Sequence, residues 1–256
     1  PGRQNQTRTG KGDRLMKRFA ILVYALLAAP VLAFASSATT PLDKAPIDLA
    51  DKESLQRGAR IFINQCLNCH SAGYMRYTRL QDLGLSEDQI KENLLFTAEK
   101  PGETMNVAMT KADAKAWFGA TPPDLTVISR SRGADWLYTY LRSFYRDDSR
   151  PTGWNNLVFD KVGMPHVLWS LQGEMVPVYK KVGEHEVIDH LQLAKPGSVT
   201  LAQYDAMMSD LVNYLVWMGE PAKMQRMQLG LLVLGFLAVF FVVAYYLKKE
   251  FWKDIH

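Results

Sequence analysis

The chain holds two cysteines, set as Cys66-Leu67-Asn68-Cys69 with His70 directly behind. This is the C-x-x-C-H spacing at which two thiols form thioethers with a haem and the next histidine reaches the iron of the porphyrin so tethered. The attachment consumes both thiols and leaves the imidazole as an axial ligand. A thioredoxin-like dithiol shares the C-x-x-C spacing, but it belongs in a βαβ setting that this sequence lacks, and it leaves His70 without a role.

A haem iron has a sixth position, for which the sequence offers His166, His185, His190 and eleven methionines. Most methionines in a chain are flexible core filler. Met164 differs because Val162-Gly163-Met164-Pro165 places it in a loop, where neither helical nor strand periodicity accounts for it. Glycine before and proline after can present the thioether rigidly to a metal, with His166 as the nearest rival. Methionine ligation raises the reduction potential relative to histidine, as suits an electron carrier.

The elements that must position these groups read as helices and long loops. Ser54 to Gln65 has Leu55, Gly58, Ala59 and Phe62 at helical spacing and runs into the haem motif. Ser86 to Gln89 and Thr200 to Gln203 each match a capping box, and the second opens a helix with the stripe Leu201, Tyr204, Met208, Leu211, Leu215 and Met218. Gly133 to Tyr145 is a further helix, with Trp136, Tyr140, Leu141 and Phe144. Pro41 to Ile47 reads as an extended leader. Between Arg150 and Ser198 glycine and proline recur, which predicts mostly loop with a small hairpin around Met175 to Val187.

Two apolar stretches fix the membrane expectations. Met16-Lys17-Arg18, the run Phe19 to Leu32 and Ala33-Phe34-Ala35 form a signal peptide over residues 16–35, preceded by a polar extension, residues 1–15, outside the fold. Residues 227–247 carry no charge and are long enough to cross a hydrocarbon core of about 30 Å at roughly 1.5 Å per residue. Tyr245, Tyr246 and Trp252 suit the interface, and Lys248, Lys249 and Lys253 put the tail, residues 248–256, in the cytoplasm. The haem domain, residues 36–226, is then on the periplasmic side of a bacterial inner membrane.

The net charge of +4 does not argue for nucleic-acid binding. From Ser36 to Arg226, 21 Lys and Arg stand against 23 Asp and Glu, so the basic excess sits at the two ends. Within the domain, Asp82 to Glu103 holds six acids against two lysines and could steer a basic partner. Asp147 with Asp148 and Glu184 with Glu186 are the alternative acidic pairs.

From about Leu49 to His256 the order of motifs resembles the cytochrome c1 family, whose members serve the ubiquinol:cytochrome c oxidoreductase (cytochrome bc1 complex). Cys66 to Ser71 with Tyr74 and Tyr77 is similar to its haem-attachment stretch. Thr121-Pro122-Pro123-Asp124-Leu125 resembles its proline-rich haem-contact turn, and Arg130 to Tyr145 the start of its Arg-containing helix. Met164-Pro165 falls at its axial methionine, and Trp217 to Gly230 looks like the junction into its anchor. The chain departs from the usual pattern at Trp136 and at Trp117-Phe118.

The resemblance implies a mostly α, class I-like cytochrome c domain with long loops on one C-terminal transmembrane helix. It implies one haem c on Cys66 and Cys69, ligated by His70 and Met164, with Pro123 at the haem face. Arg130 would pair with a propionate, with Arg132 the alternative; a guanidinium matches a carboxylate bidentately. The implied partners are a cytochrome b subunit, a Rieske iron-sulfur protein and a cytochrome c-type acceptor. The chain would be a redox subunit of that oxidoreductase without bond chemistry of its own. The rivals are an anchored c-type donor in another complex, and a haem peroxidase or gas sensor, which needs an open sixth position.

Overall fold

A computed structural model describes residues 40–254. The polar extension and signal peptide expected over residues 1–35 lie outside them, as do residues 36–39 and the last two of the tail.

Asp51 opens helix α1 (Lys52–Ile61) by accepting the Ser54 N–H at 2.9 Å, which satisfies a free donor of the first turn. Leu55, Gly58 and Ala59 face inward as the spacing predicts. The helix widens into a π-helical turn, Phe62–Cys66, that delivers Cys66 at its end. Helix α7 (Leu201–Gly219) packs along α1. A Cβ at Gly58 would run into the Asp210 carbonyl, so only glycine permits this approach, and Arg57 clamps the crossing with a forked pair of bonds to Asp210 at 2.6 and 3.0 Å.

The Thr200–Gln203 capping box opens α7 as expected, and Tyr204, Met208, Leu211, Leu215 and Met218 are buried. Leu201 is exposed on the first turn rather than part of the stripe. The second capping box, Ser86 with Gln89, opens α2 (Glu87–Asn93). An α3 helix (Lys111–Phe118) follows, and α4 (Ile128–Arg132) and α5 (Ala134–Arg142) meet at Gly133, whose φ of 89° favours glycine. Phe144, expected on the same helix, is instead in strand β3 (Phe144–Arg146).

The leader is strapped to α5 by side chains. The Asp43 N–H donates to Thr139 at 2.8 Å and the Ala45 N–H to Asp135 at 2.9 Å. Arg142 reaches both Asp43, at 2.7 Å, and Asp205 of α7, at 2.5 and 2.9 Å, joining leader, α5 and α7.

Strand content is larger than the sequence predicts in one place. Two ten-to-twelve-residue strands, Gly173–Val182 and His185–Pro196, pair antiparallel, so the small hairpin expected around Met175 to Val187 is present but extends well beyond those bounds. The hairpin turns at Gly183-Glu184. The remaining strands are short: β1 (Ala72–Arg76) pairs with β2 (Thr104–Met105), and β3 with β4 (Trp154–Asn156).

Helix α8 (Lys223–Phe251) starts four residues earlier and ends four later than the uncharged run. Its apolar side chains are exposed along the whole length, with Leu231, Phe236 and Phe241 each about two-thirds bare or more, as a membrane span requires and a soluble core helix does not.

Candidate functional site: a haem attachment and ligation centre

Cys66 sits at the end of the π turn, and its carbonyl accepts both the Cys69 and the His70 N–H, at 3.0 and 2.9 Å. The tight loop brings both thiols and the imidazole to one rim of the core, all half-buried. Burial, with the neighbouring Cys69, pushes the Cys66 thiol up to about 12, and burial raises Cys69 as well. A redox-active dithiol is driven the opposite way, toward the thiolate, so these thiols do not suit thioredoxin-like chemistry.

His70 Nδ1 lies 2.8 Å from the Pro123 carbonyl oxygen. A carbonyl only accepts, so Nδ1 carries the proton and Nε2 holds a free lone pair, the atom a metal would take. Burial holds the imidazole below its ordinary pKa, with the Pro123 bond and Asp124 opposing, so the ring is neutral at physiological pH. Two consecutive prolines fix φ through the turn and so aim that carbonyl. Asp124 finishes it, accepting the Gly73 N–H at 2.7 Å and the Thr126 N–H at 2.8 Å, while the Leu125 N–H donates to Ser71 at 2.8 Å. Pro123, expected at the haem face, is the acceptor that sets the tautomer of His70.

Met164 is half-buried against the same hydrophobic cluster as Cys66. Its sulfur accepts the Tyr140 hydroxyl at 3.3 Å. His166 is not its equal as a ligand. The ring is 2% exposed, stacked on Phe144 at 4.8 Å and edge-on to Trp154 at 5.1 Å, inside the core. Burial pushes it down to about 4, against a raising interaction with Gln172. His185 and His190 lie exposed on the outer hairpin strand, the latter bonded to Asp189.

Arg130 is exposed on α4 and makes no ion pair among the described residues, which leaves its guanidinium available. Arg132 is spent differently, lying over the rings of Trp136 at 5.1 Å and Phe159 at 5.9 Å. Trp136 in turn stacks on Tyr140 at 4.8 Å. The acidic segment is partly used internally. Asp82 pairs with Arg79, Glu87 with Lys91, and Glu103 accepts the Glu99 and Lys100 N–H groups, while Asp88, Glu92 and Glu99 stay exposed.

Two buried-face thiols at C-x-x-C spacing, an imidazole with Nε2 free and a loop thioether on the same core form a donor set that fits a covalently held haem. Joined to a helical domain and one bare apolar helix, this is a membrane-anchored c-type cytochrome. The sequence profile of the Cytochrome C1 family matches residues 43–255, and the chain belongs to that family, whose members carry a covalently bound haem c.

The chain is 49% identical to the cytochrome c1 of Allochromatium vinosum over 93% of its own length and 100% of the relative's. It is 31% identical to that of Rhodospirillum rubrum over 80% and 83%. A Nitrosomonas europaea protein named ammonia monooxygenase gamma subunit is 52% identical over 94% and 100%. A chain of a hyperthermophilic respiratory complex III covers 93% of this one with a TM-score of 0.39 and 14% identity, too loose a superposition to add to the family assignment.

Proposed function

We propose that the chain is the electron-transfer subunit of a ubiquinol:cytochrome c oxidoreductase, taking electrons from a Rieske iron-sulfur protein and passing them to a cytochrome c-type acceptor. Cys66 and Cys69 hold the haem, His70 and Met164 ligate it, and Arg130 pairs with a propionate. When bound, that group supplies one-electron chemistry. The protein's own residues orient and insulate: Pro123 fixes the His70 tautomer, and Phe144 and Trp154 keep His166 from competing for the iron. No acid, base or nucleophile is required of this chain.

The observation that carries the reading is the His70–Pro123 bond beside two thiols, since it leaves Nε2 as the basic ring atom with a lone pair to offer a metal. Met164 on the shared core would supply a thioether to the group, where a peroxidase or gas sensor would leave that position open. The domain lies on the periplasmic side, with the signal peptide exporting it and α8 crossing the bilayer. Lys248, Lys249 and Lys253 hold the C-terminus in the cytoplasm, where Lys248 also rests 5.6 Å from the Trp252 ring.

A second reading, the same anchored cytochrome serving a different membrane oxidoreductase, is favoured by the name of the Nitrosomonas europaea relative. Affinity purification of the tagged chain from solubilised membranes decides between them. Recovery of a cytochrome b and a Rieske protein is expected, and recovery of a monooxygenase without them would transfer the chain to the second reading.

A further inference from the structure

Tyr140 stands in the last turn of α5 and is all but buried. A buried phenol needs an acceptor. Here the acceptor is the sulfur of Met164, at 3.3 Å, on a loop 24 residues further along. The ring has little freedom to leave. Trp136 stacks on one face at 4.8 Å and an interplanar angle of 11°, and Phe144 meets it edge-on at 5.0 Å. The backbone carbonyl of Tyr140 accepts from Asn156 Nδ2 at 2.8 Å and from the Ser143 hydroxyl at 3.4 Å, so the segment on which the ring stands is held as well.

A thioether sulfur has two lone pairs and is a weak acceptor. The core places a strong donor against it in a site where an apolar residue would pack as well, and the outward arm of the stack, Trp136 with Arg132 and Phe159 around it, keeps that donor in register. We propose that Tyr140 is the positioning residue of Met164. Its hydroxyl occupies one sulfur lone pair, leaves the other for the iron, and raises the reduction potential of the centre. This inference rests on Met164 being the sixth ligand. The sign follows from charge. The O–H dipole points its positive end at the sulfur, weakens sulfur donation and favours the state with the additional electron.

The test uses the full-length chain in its assembled membrane complex with Tyr140→Phe, which keeps the ring and its stacking and removes only the donor. Redox titration and the far-red sulfur-to-iron charge-transfer absorption are measured together with thermal unfolding. The expected result is a lowered potential and a displaced charge-transfer band, with the midpoint of unfolding little changed. Tyr140→Leu, which also removes the ring, should lower the potential in the same direction. A merely structural role would move unfolding and leave potential and band in place, and that outcome overturns the inference. Met164→Leu separates the two layers. If it abolishes the band while Tyr140→Phe leaves band and potential unaltered, Tyr140 is only packing and the ligand assignment stands. If Met164→Leu itself leaves the band intact, both fall.

Discussion

Asp124 and Gly73 are joined by a 2.7 Å bond from the glycine N–H to the carboxylate, which staples the strand after His70 to the turn that holds its imidazole. The same carboxylate caps Thr126, so one side chain fixes both ends of the His70–Pro123 contact. Asp124→Ala is expected to cost about 1–2 kcal/mol of stability, the range for charged acceptors discounted for exposure. It should also make the haem spectrum sensitive to mildly acidic pH as the ligand loosens. Denaturant unfolding and a pH titration of the absorption spectrum check both.

Replacing Cys66 and Cys69 together by Ala removes every thiol in the chain. Covalent haem should disappear from denaturing gels stained for peroxidase activity, and haem retained on the doubly substituted chain would refute the attachment.

Met164→Leu preserves volume at a packing cost under about 1.5 kcal/mol while deleting the thioether. A markedly lower potential, or new binding of carbon monoxide, is expected. His166→Phe should leave both unchanged, because His166 is enclosed by Phe144 and Trp154. The reverse pattern would hand the sixth position to His166.

Acid should release the leader. The Ala45 N–H chiefly, with Lys44 in support, holds the Asp135 carboxyl below the usual carboxylate range. The unfolded chain therefore takes up the proton first as pH falls through about 4, so the stability this contact contributes is present above that pH and lost below it. Protection of the Ala45 amide against hydrogen exchange, referred to the intrinsic rate at each pH, should fall on acidification, and in Asp135→Ala it should be low at every pH.

Asp88, Glu92 and Glu99 are the exposed acids of the Asp82–Glu103 segment that no internal bond occupies. Neutralising all three to Asn or Gln should slow electron transfer to a basic cytochrome c and flatten its decline with salt, since screening acts over about 10 Å at 0.1 M. Glu103 is unsuitable for this purpose because its carboxylate holds two backbone N–H groups. Stopped-flow rates that ignore both salt and substitution would leave the segment as ordinary surface.

The haem motif, α1, both capping boxes and most of the α7 stripe were legible in the sequence because each rests on local spacing: thiol to thiol, hydroxyl to glutamine, apolar residue to apolar residue. The Gly173–Pro196 hairpin was legible only in part: a small hairpin was expected around Met175 to Val187, but not one running out to Gly173 and Pro196. Its prolines suggested mostly loop, yet in a two-stranded ribbon each strand has a free outer edge, and Pro177 sits opposite Leu191 with no further strand to pair among the described residues. Gly183, at a φ of 67°, turns the ribbon in two residues. Tyr140 read only as one residue of an apolar face. That its hydroxyl meets Met164 depends on how α5 packs against a distant loop, which no periodicity encodes. Likewise the difference between Arg130, without an ion pair among the described residues, and Arg132, held by two rings, appears only once Phe159 is brought alongside.

Only Glu220, Pro221 and Ala222 separate α7 from α8, and Arg226 grips Glu220 at 2.6 Å across the joint. Three residues span at most about 10 Å even fully extended, so the domain is mounted on its anchor like a bracket, not hung from a cord. Its height above the bilayer is set by where α7 stops, and it has no length of chain with which to swing between donor and acceptor. Whatever travelling the electron path demands must be done by the molecules that visit this centre.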